Sequence, residues 1–447
     1  MRQLLYTVSL ITIMLPQALK AQEAGEPLKL SLEEAMDLAV KNNVQAKNAR
    51  LDINKQKAVN AEVSGLALPN IKAKGEFNDY INPIQSFVPA EFIGGPPGTF
   101  VAVPFTPKFS STASVTGTQI LFDGSVMVAL QARNALMRLY EQSSILTDEE
   151  IRYNIQKAYQ AIVVAHRQSK ILDESIAFAR SIANDFNAMY EAGFVEKIEA
   201  DRIMVQVNNL ASDSLKVHNM LDVSMQMLKY QMGIDNEMNI QLTDTSIEEQ
   251  IEDAEMLMLR DLNFAKRTDY NLLHTQLKLN EYDLKRHKLS GLPSLAVFGS
   301  AAYTYASNTF GDVFDKQYIF YSLVGVQLNI PIFDGLQRHN RVKQAKISVM
   351  QTRNNIENLE LGIAFQKNQS TTQLNNALLT MRNEQRNLDL AKNVLRLARE
   401  KYKAGVGSNM EVSQAQTEML RAQNNYFQAL LDAANAKADL KKALGEY

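Results

Sequence analysis

The sequence FDGSVMVALQAR (residues 122–133) begins the longest uninterrupted segment of this chain, and FDGLQRHNRVKQ (residues 333–344) begins a second segment of the same kind. The run 124–193 has no Pro and no internal Gly, and the run 335–405 has no Pro and a single internal Gly, Gly362. At a rise of about 1.5 Å per residue, each run predicts an α-helix of about 100 Å. A helix of that length, present twice, predicts a tube or a rod rather than a catalytic pocket.

Composition and charge exclude several classes of protein. The chain has 447 residues with 47 basic and 49 acidic side chains, a balance that gives no indication of nucleic acid as a partner. No internal run of about 18 apolar residues predicts a transmembrane helix. Because the sequence has no cysteine, a small domain held by disulfides is excluded.

The N-terminus has the composition of a secretory signal peptide, predicted over residues 1–21. Arg2 supplies the positive charge, residues 4–15 form a short apolar core, and residues 18–21 provide a processing site before Gln22. The mature chain is therefore predicted to be exported.

The two halves of the chain align with each other at constant offsets. Leu38-Ala39 aligns with Phe264-Ala265 at an offset of 226, and residues 151–233 align with residues 363–445 at an offset of 212 without a gap. All eleven prolines lie outside the long periodic segments. The predicted elements are a first repeat over 22–233 (helix 31–64, strands 68–80 and 108–122, long helix 124–191, turn 192–196, helix 197–232), a linker or equatorial segment over 234–258, and a second repeat over 259–447 (helix 259–290, strands 294–306 and 318–331, long helix 335–403, turn 404–408, helix 409–444).

Small and apolar residues in the predicted helices recur with a 4-3 spacing. The pattern runs from Ile151 to Tyr190, from Ile203 to Leu228 and from Ala415 to Leu440. A period of about 3.5 residues held over so many turns predicts coiled-coil packing. An exposed two-helix rod is the alternative that this periodicity leaves open.

The segments before the long helices have the pattern of membrane strands. Apolar and polar side chains alternate over residues 71–78 and 109–118. Strands of about ten residues with one apolar and one polar face are typical of transmembrane β-barrels. On the polar face, Lys72, Lys74 and Glu76 are predicted to line the lumen.

The number of strands predicts an assembly of several copies. The sequence offers four membrane strands, whereas single-chain barrels begin at about eight. Open strand edges are not tolerated in lipid, because their backbone N–H and C=O groups would lack partners. Other copies of the chain must therefore complete the barrel, with two copies giving eight strands and three giving twelve.

Three doubled motifs resemble those of the TolC-type outer-membrane efflux protein family. They are the Phe-Asp-Gly junctions at 122–124 and 333–335, the Ala-Gly turns followed by Glu199 and Glu411, and the Leu-x-x-x-x-Gly endings at 228–233 and 440–445. The resemblance covers essentially the whole mature chain. It implies a mainly α protein with membrane β-hairpins, internally duplicated, whose homotrimer forms a β-barrel continued by a coiled-coil α-helical barrel.

The resemblance also implies a function and partners. It describes a passive channel in the outer membrane of a Gram-negative bacterium, which extends into the periplasm and exports small molecules without a cofactor. The implied partners are a periplasmic adaptor protein, an inner-membrane transporter of RND or ABC type and the lipid of the outer membrane.

Site residues are implied by the same resemblance. The turns that end the helical hairpins would form a periplasmic tip that docks the adaptor, because glycines permit a tight reversal and expose backbone. The implied docking residues are Gly193, Phe194, Val195, Gly405, Val406 and Gly407. Glu199, Asp201 and Glu411 would surround the periplasmic mouth and favour cations. The alternative is that the turns only end their helices and that the acidic residues only favour helix N-termini.

Asp123 and Asp334 recur in one motif and thereby invite a catalytic interpretation. We interpret both as caps that accept backbone N–H bonds where a strand becomes a long helix. The five histidines are dispersed without metal-ligand spacing, and the sequence has no phosphate-binding loop. An enzyme is therefore not predicted. The remaining alternative to a channel is a periplasmic coiled-coil adaptor or scaffold without its own pore.

Overall fold

Each half of the chain contains helical and strand segments in the same order, ending in a helix of 68 or 67 residues and a helix of 36 residues that returns beside it. A computed structural model describes residues 27–314 and 318–447, so the predicted signal peptide lies outside the described residues. The elements are β1 (Leu28–Leu30), α1 (Leu32–Asn42), α2 (Val44–Gly65), β2 (Asn70–Asp79), β3 (Gln85–Pro89), β4 (Phe100–Pro104), β5 (Phe109–Phe122), α3 (Gly124–Glu191), α4 (Lys197–Met232), β6 (Ile240–Leu242), α5 (Ile247–Gln250), α6 (Ala254–Met258), α7 (Thr268–Leu289), β7 (Ser294–Ser307), β8 (Ile319–Asn329), α8 (Gln337–Lys403) and α9 (Asn409–Leu444), with 3-10 turns at Ala90–Ile93, Phe264–Lys266 and Gly311–Phe314.

Four strands, two from each repeat, form one antiparallel sheet in the order β2-β5-β7-β8. The central β5–β7 pair joins the repeats and extends from Phe109 opposite Ser307 to Phe122 opposite Leu295. Within the described ranges, the outer edges of β2 and β8 have no partner strand. The sheet is therefore open on both sides.

The helices form two antiparallel pairs below the sheet, α3 with α4 and α8 with α9, and α7 lies between α3 and α8 near the strands. The 4-3 positions Ile155, Ile162 and Leu172 of α3 are buried, as is Leu440 of α9. Burial of each such side chain contributes about 1.5–3 kcal/mol, so the seam stabilises helices that would be marginal alone.

The segment between the repeats is folded and contributes to the largest apolar core. β6 pairs in parallel with β1, so the segment between the repeats and the strand before α1 form one small sheet. The buried Tyr159 hydroxyl donates to the Leu30 carbonyl at 2.9 Å and accepts from the Asp244 N–H at 3.0 Å. Lys437 of α9, 7% exposed, donates to the Gln250 carbonyl and pairs with Asp253. These contacts fix the segment against the middle of the helical body.

The first predicted helix, residues 31–64, is divided into α1 and α2 at Asn43. Its φ of −56° and ψ of 137° leave the helical region, its N–H donates to the Ala39 carbonyl, and its side chain accepts from the Gln45 N–H at 2.7 Å. Asn side chains compete for backbone groups in this way, so Asn43 ends one helix and caps the next.

The predictions for the second repeat need two similar corrections. The predicted helix 259–290 begins only at Thr268, because the Asn263 side chain caps a 3-10 turn by accepting from the Ala265 N–H. The long helix predicted over 335–403 begins at Gln337, since Gly335 and Leu336 have φ values of 64° and 66°. A left-handed residue cannot belong to the first turn of an α-helix.

Among the described residues, none of the helices has both the length and the apolar character needed to cross a membrane.

Candidate functional site

The turn of each helical hairpin is built on a left-handed glycine. Gly193 and Gly405 have φ values of 77° and 73°. After Gly193, the Phe194 N–H donates to the Met189 carbonyl at 2.8 Å; after Gly405, the Val406 N–H donates to the Lys401 carbonyl at 3.1 Å. These bonds satisfy carbonyls that the helix end would leave free. The two turns are thus equivalent in structure.

The six predicted docking residues divide into exposed and packed positions. Phe194 and Val406 are each 79% exposed, and a side chain added at Gly193 or Gly405 would meet open space. Val195 instead packs against the apolar core of the first hairpin. A Cβ at Gly407 would lie 2.9 Å from the Tyr402 backbone nitrogen, so this glycine permits a close approach. Two apolar side chains beside bare backbone therefore project from the tips.

The predicted mouth residues begin the returning helices and have basic neighbours that were not foreseen from the sequence. Glu199 pairs with Arg202 at 3.3 Å, and Glu411 lies 3.6 Å from the Lys401 ammonium of the preceding helix. Asp201 is exposed on the surface of α4. The Lys401–Glu411 contact crosses the turn, which the sequence spacing alone does not reveal.

The two hairpins contact each other close to the tips. The rings of Phe186 and Tyr402 stack with centroids 6.3 Å apart, and the Ser413 hydroxyl donates to the Gln206 amide oxygen at 2.6 Å. Burial, with a smaller contribution from the Asp185 carboxylate, raises the pKa of the Tyr402 phenol. The phenol therefore stays neutral, and its ring joins the two hairpins through an apolar contact.

A basic cleft above this contact was also missed in the sequence. It has a volume of about 540 Å³ between α3, α8 and α9, and four basic side chains outnumber two acidic ones, Glu174 and Glu400, in its lining. The basic residues are Lys392, Arg396, Arg399 and Lys403, and Arg396 pairs with Glu400 at 3.0 Å. The Arg399 guanidinium lies 3.5 Å from the centroid of the Phe178 ring and donates to the Gln416 amide at 2.8 Å. Desolvation lowers the pKa of Arg399. In the sequence, these four basic residues follow one another at intervals of 4, 3 and 4 residues, a spacing that predicts one basic face on α8.

The strand-to-helix junctions differ between the repeats. The Asp123 carboxylate accepts from the Ser125 and Val126 N–H groups at 2.8 and 3.1 Å and is the N-cap of α3. The Asp334 carboxylate accepts only from the Arg338 N–H, at 2.7 Å, and the N-cap position of α8 is Leu336. Both aspartates bind the first turn of a helix, but Asp334 does so from two residues further back than predicted.

Asp123→Ala is expected to destabilise the protein by about 1 kcal/mol, because two helical N–H groups lose their acceptor. Asp123→Asn keeps an acceptor oxygen and should lose less. The change is measured as the thermal unfolding midpoint of the detergent-solubilised protein by circular dichroism. Asp334→Ala, which removes a single bond, is the control, and an equal loss in both alanine variants would contradict the capping assignment.

The sheet separates polar from apolar side chains. Lys72, Lys74 and Glu76 oppose Thr116, Ser114 and Thr112 of β5 in the ladder, and Lys74 pairs with Glu76. The other face carries Ile71 opposite Gly117, and Ala73 opposite Val115 and then Ala301. The predicted lumen residues thus share one hydroxyl-rich face. No group of three or more His, Cys, Asp or Glu side chains in the described part of the chain is arranged to hold a metal ion.

A match to a known family covers most of the second repeat. Residues 277–446, from α7 to the end of α9, match the family model of the outer membrane efflux protein. The second copies of the doubled motifs, at 333–335, Glu411 and 440–445, lie within these residues, so the match agrees with the family resemblance.

Several known proteins are similar to this chain at low identity. The alkaline protease secretion protein AprF of Pseudomonas aeruginosa is 19% identical over 307 residues, and the match spans 67% of this chain and 63% of AprF. The outer membrane protein VceC of Vibrio cholerae has a TM-score of 0.69 at 13% identity, covering 93% of this chain and 96% of VceC. The CmeC outer membrane channel of Campylobacter jejuni has a TM-score of 0.72 at 17% identity, covering 93% and 85%.

These comparisons confirm the predicted fold class for both repeats, because the similar structures extend over more than nine tenths of the chain. The proteins named above are described as a secretion protein, an outer membrane protein and an outer membrane channel.

Proposed function

We propose that the chain is one subunit of a homotrimeric outer-membrane channel, which docks to a periplasmic adaptor and an inner-membrane transporter of RND or ABC type and exports small molecules. The observation that carries this proposal is the four-stranded sheet with two open edges, held at one end of a long helical body. Such edges are stable in lipid only when further strands pair with them.

Exposed apolar residues on the helices support the same assembly. On α8, Leu361 and Phe365 are 72% and 68% exposed and lie on one face with Ile347 and Met350. On α2, Leu51 is 62% exposed. Side chains of this size on two outer helices favour packing of α8 of one copy against α2 of the next, which continues the ring of strands as a ring of helices.

Transport through this channel needs no chemistry from the chain. The polar face with Lys72, Lys74 and Glu76 supplies a wall that water can wet, and the pump supplies the energy. The adaptor binds the tips at Phe194 and Val406, where its contact with the mouth residues Glu199, Asp201 and Glu411 opens the path. The basic cleft on α8 favours a partner with acidic side chains.

The assembly is tested by native mass measurement of the mature protein extracted in detergent. A trimer is expected, with the protein insoluble when detergent is removed. A lone protomer in the membrane, or a soluble monomer without detergent, would contradict the channel. Resistance profiling of a strain without the protein then identifies the exported compounds.

A further inference from the structure

The connection between β2 and β5 is almost uncharged and largely apolar. Residues 81–107 contain a single charged side chain, Glu91, and its carboxylate is already used within the connection, accepting from the Gly98 N–H at 3.0 Å. Five-residue strands β3 and β4 pair in this segment and flank the 3-10 turn Ala90–Ile93. We refer to residues 85–104 as the outer hairpin.

The large apolar side chains of the outer hairpin face solvent. Phe87 is 76% exposed, Phe92 81% and Phe100 66%. Phe87 opposes Ala102 and Pro89 opposes Phe100, so these two phenylalanines lie on one face of the hairpin. An isolated two-stranded hairpin is only marginally stable in water, and an exposed patch of aromatic residues indicates a missing partner.

The outer hairpin extends the sheet at the end opposite the helices. The Tyr80 N–H donates to the Lys108 carbonyl at 2.7 Å, which continues the β2–β5 pairing up to the start of the connection. At the other end of β5, Phe122 leads directly into α3. In the proposed trimer, three outer hairpins therefore stand at the outer mouth around one axis.

The described part of the second connection at the same mouth, residues 308–314, lies on the apolar side of the sheet. Phe310 lies 5.8 Å from Phe77 and 5.6 Å from Phe109, measured between ring centroids. Phe77 is on the face of the sheet that carries Ile71 and Ala73, opposite to Lys72 and Lys74. Phe310 thus holds this described part of the connection on the apolar side, so the outer hairpin is the segment that we consider for the axis.

We propose that the three outer hairpins of a trimer pack against one another on the threefold axis and close the outer mouth with an apolar contact. The proposal rests on the trimeric assembly proposed above. Twelve strands about 4.8 Å apart and tilted by about 40° form a ring with a radius of about 12 Å. A strand of five residues is about 17 Å long, so each hairpin is long enough to reach the axis.

Identical copies are the occupant that the structure favours. Lipid chains contact the apolar face of the sheet, whereas the outer hairpin begins beyond the last β2–β5 pair, Asp79 with Phe109. Threefold symmetry in the proposed trimer places the hairpins of the other two copies at the same height, where they offer apolar surfaces of the same size. Since Glu91 is the one charged side chain of each connection, electrostatic repulsion between the copies is small.

Disulfide formation at Phe92 tests the contact. The chain has no cysteine, so Phe92→Cys introduces a single thiol per protomer, at an exposed position where truncation does not disturb a core. Mild oxidation of the purified trimer should give a disulfide-linked dimer on a non-reducing gel, because thiols close to a threefold axis can pair. The dimer fraction should not depend on protein concentration.

Thr309→Cys is the matched control, an exposed position in the described part of the second connection, and it should stay monomeric on the gel. Trimers of Phe92→Cys, verified by native mass, that form no disulfide would overturn the contact while leaving the trimer intact. Reaction of the Phe92→Cys thiol with a lipid-soluble maleimide instead of disulfide formation would place the hairpin in the membrane. Absence of the trimer would overturn the proposed function itself.

Discussion

Replacement of Gly193 and Gly405 together by Asn is expected to reduce export through the channel by about tenfold or more, without loss of the trimer. Both glycines have φ values above 70° and open space around them. Asn tolerates this backbone conformation better than other side chains, so the turn is kept. The added side chain covers backbone that the adaptor must approach.

The tenfold loss of export is expected because the trimer carries several copies of the docking tip. A loss of about 1.4 kcal/mol in adaptor binding is a tenfold loss in affinity. A trimer presents both tips three times, so the losses at separate tips reinforce one another when a multivalent partner binds. An Ala pair would confound this, because Ala at a positive φ strains the turn as well as covering it.

Export is measured as the resistance of a deletion strain that carries the variant, with trimer and membrane insertion checked in parallel. Gly335→Asn is the matched control: its φ is 64°, its surroundings are open, and it lies at the strand-to-helix junction before α8, at the opposite end of that helix from the tip. Normal export by the double variant would show that the tips do not dock a partner.

The periodic parts of this chain could be read from its sequence. Absence of Pro together with a 4-3 pattern predicts a long helix, and α3 spans Gly124–Glu191 in the structure. Alternation over residues 71–78 predicts a two-faced strand, which β2 is. Both patterns are local consequences of helix and strand geometry, so they need no knowledge of the neighbouring chain.

The missed features depend on side chains that bind backbone or on contacts distant in sequence. Asn43 ends α1 because its side-chain oxygen caps α2. The side-chain amide nitrogen of Asn43 also donates to the Gln231 carbonyl at 2.7 Å. The β1–β6 pair brings together segments more than 200 residues apart. Leu336 adopts a positive φ that no propensity predicts for leucine.

Gly233→Ala and Gly445→Ala are expected to destabilise the protein strongly. These glycines end α4 and α9 at aligned positions of the two repeats, with φ values of 66° and 72°. A Cβ at Gly233 would lie 2.7 Å from the Asn42 carbonyl oxygen, and one at Gly445 would lie 2.9 Å from that of Lys266. The end of α4 is therefore packed against the backbone just before α2, and the end of α9 against the backbone just before α7.

Two separate costs in the free energy of unfolding add in these variants, one for the backbone conformation and one for the packing of the new Cβ. A left-handed alanine costs about 1–2 kcal/mol, and the displacement of packed backbone costs about 1–3 kcal/mol more. Gly193→Ala separates them, since its φ is 77° but no atom lies within 4 Å of the added Cβ, so it carries only the first term. The apparent unfolding temperature of the solubilised protein should fall clearly further for Gly233→Ala than for Gly193→Ala.

Gly233→Asn decides which term dominates. Asn relieves the conformational term but still places a Cβ against the Asn42 carbonyl, so the variant should remain nearly as unstable as Gly233→Ala. An Asn variant with the stability of the unmodified protein would mean that the Gly233 contact with the break between α1 and α2 is loose. In that case the end of α4 would not fix the position of α2.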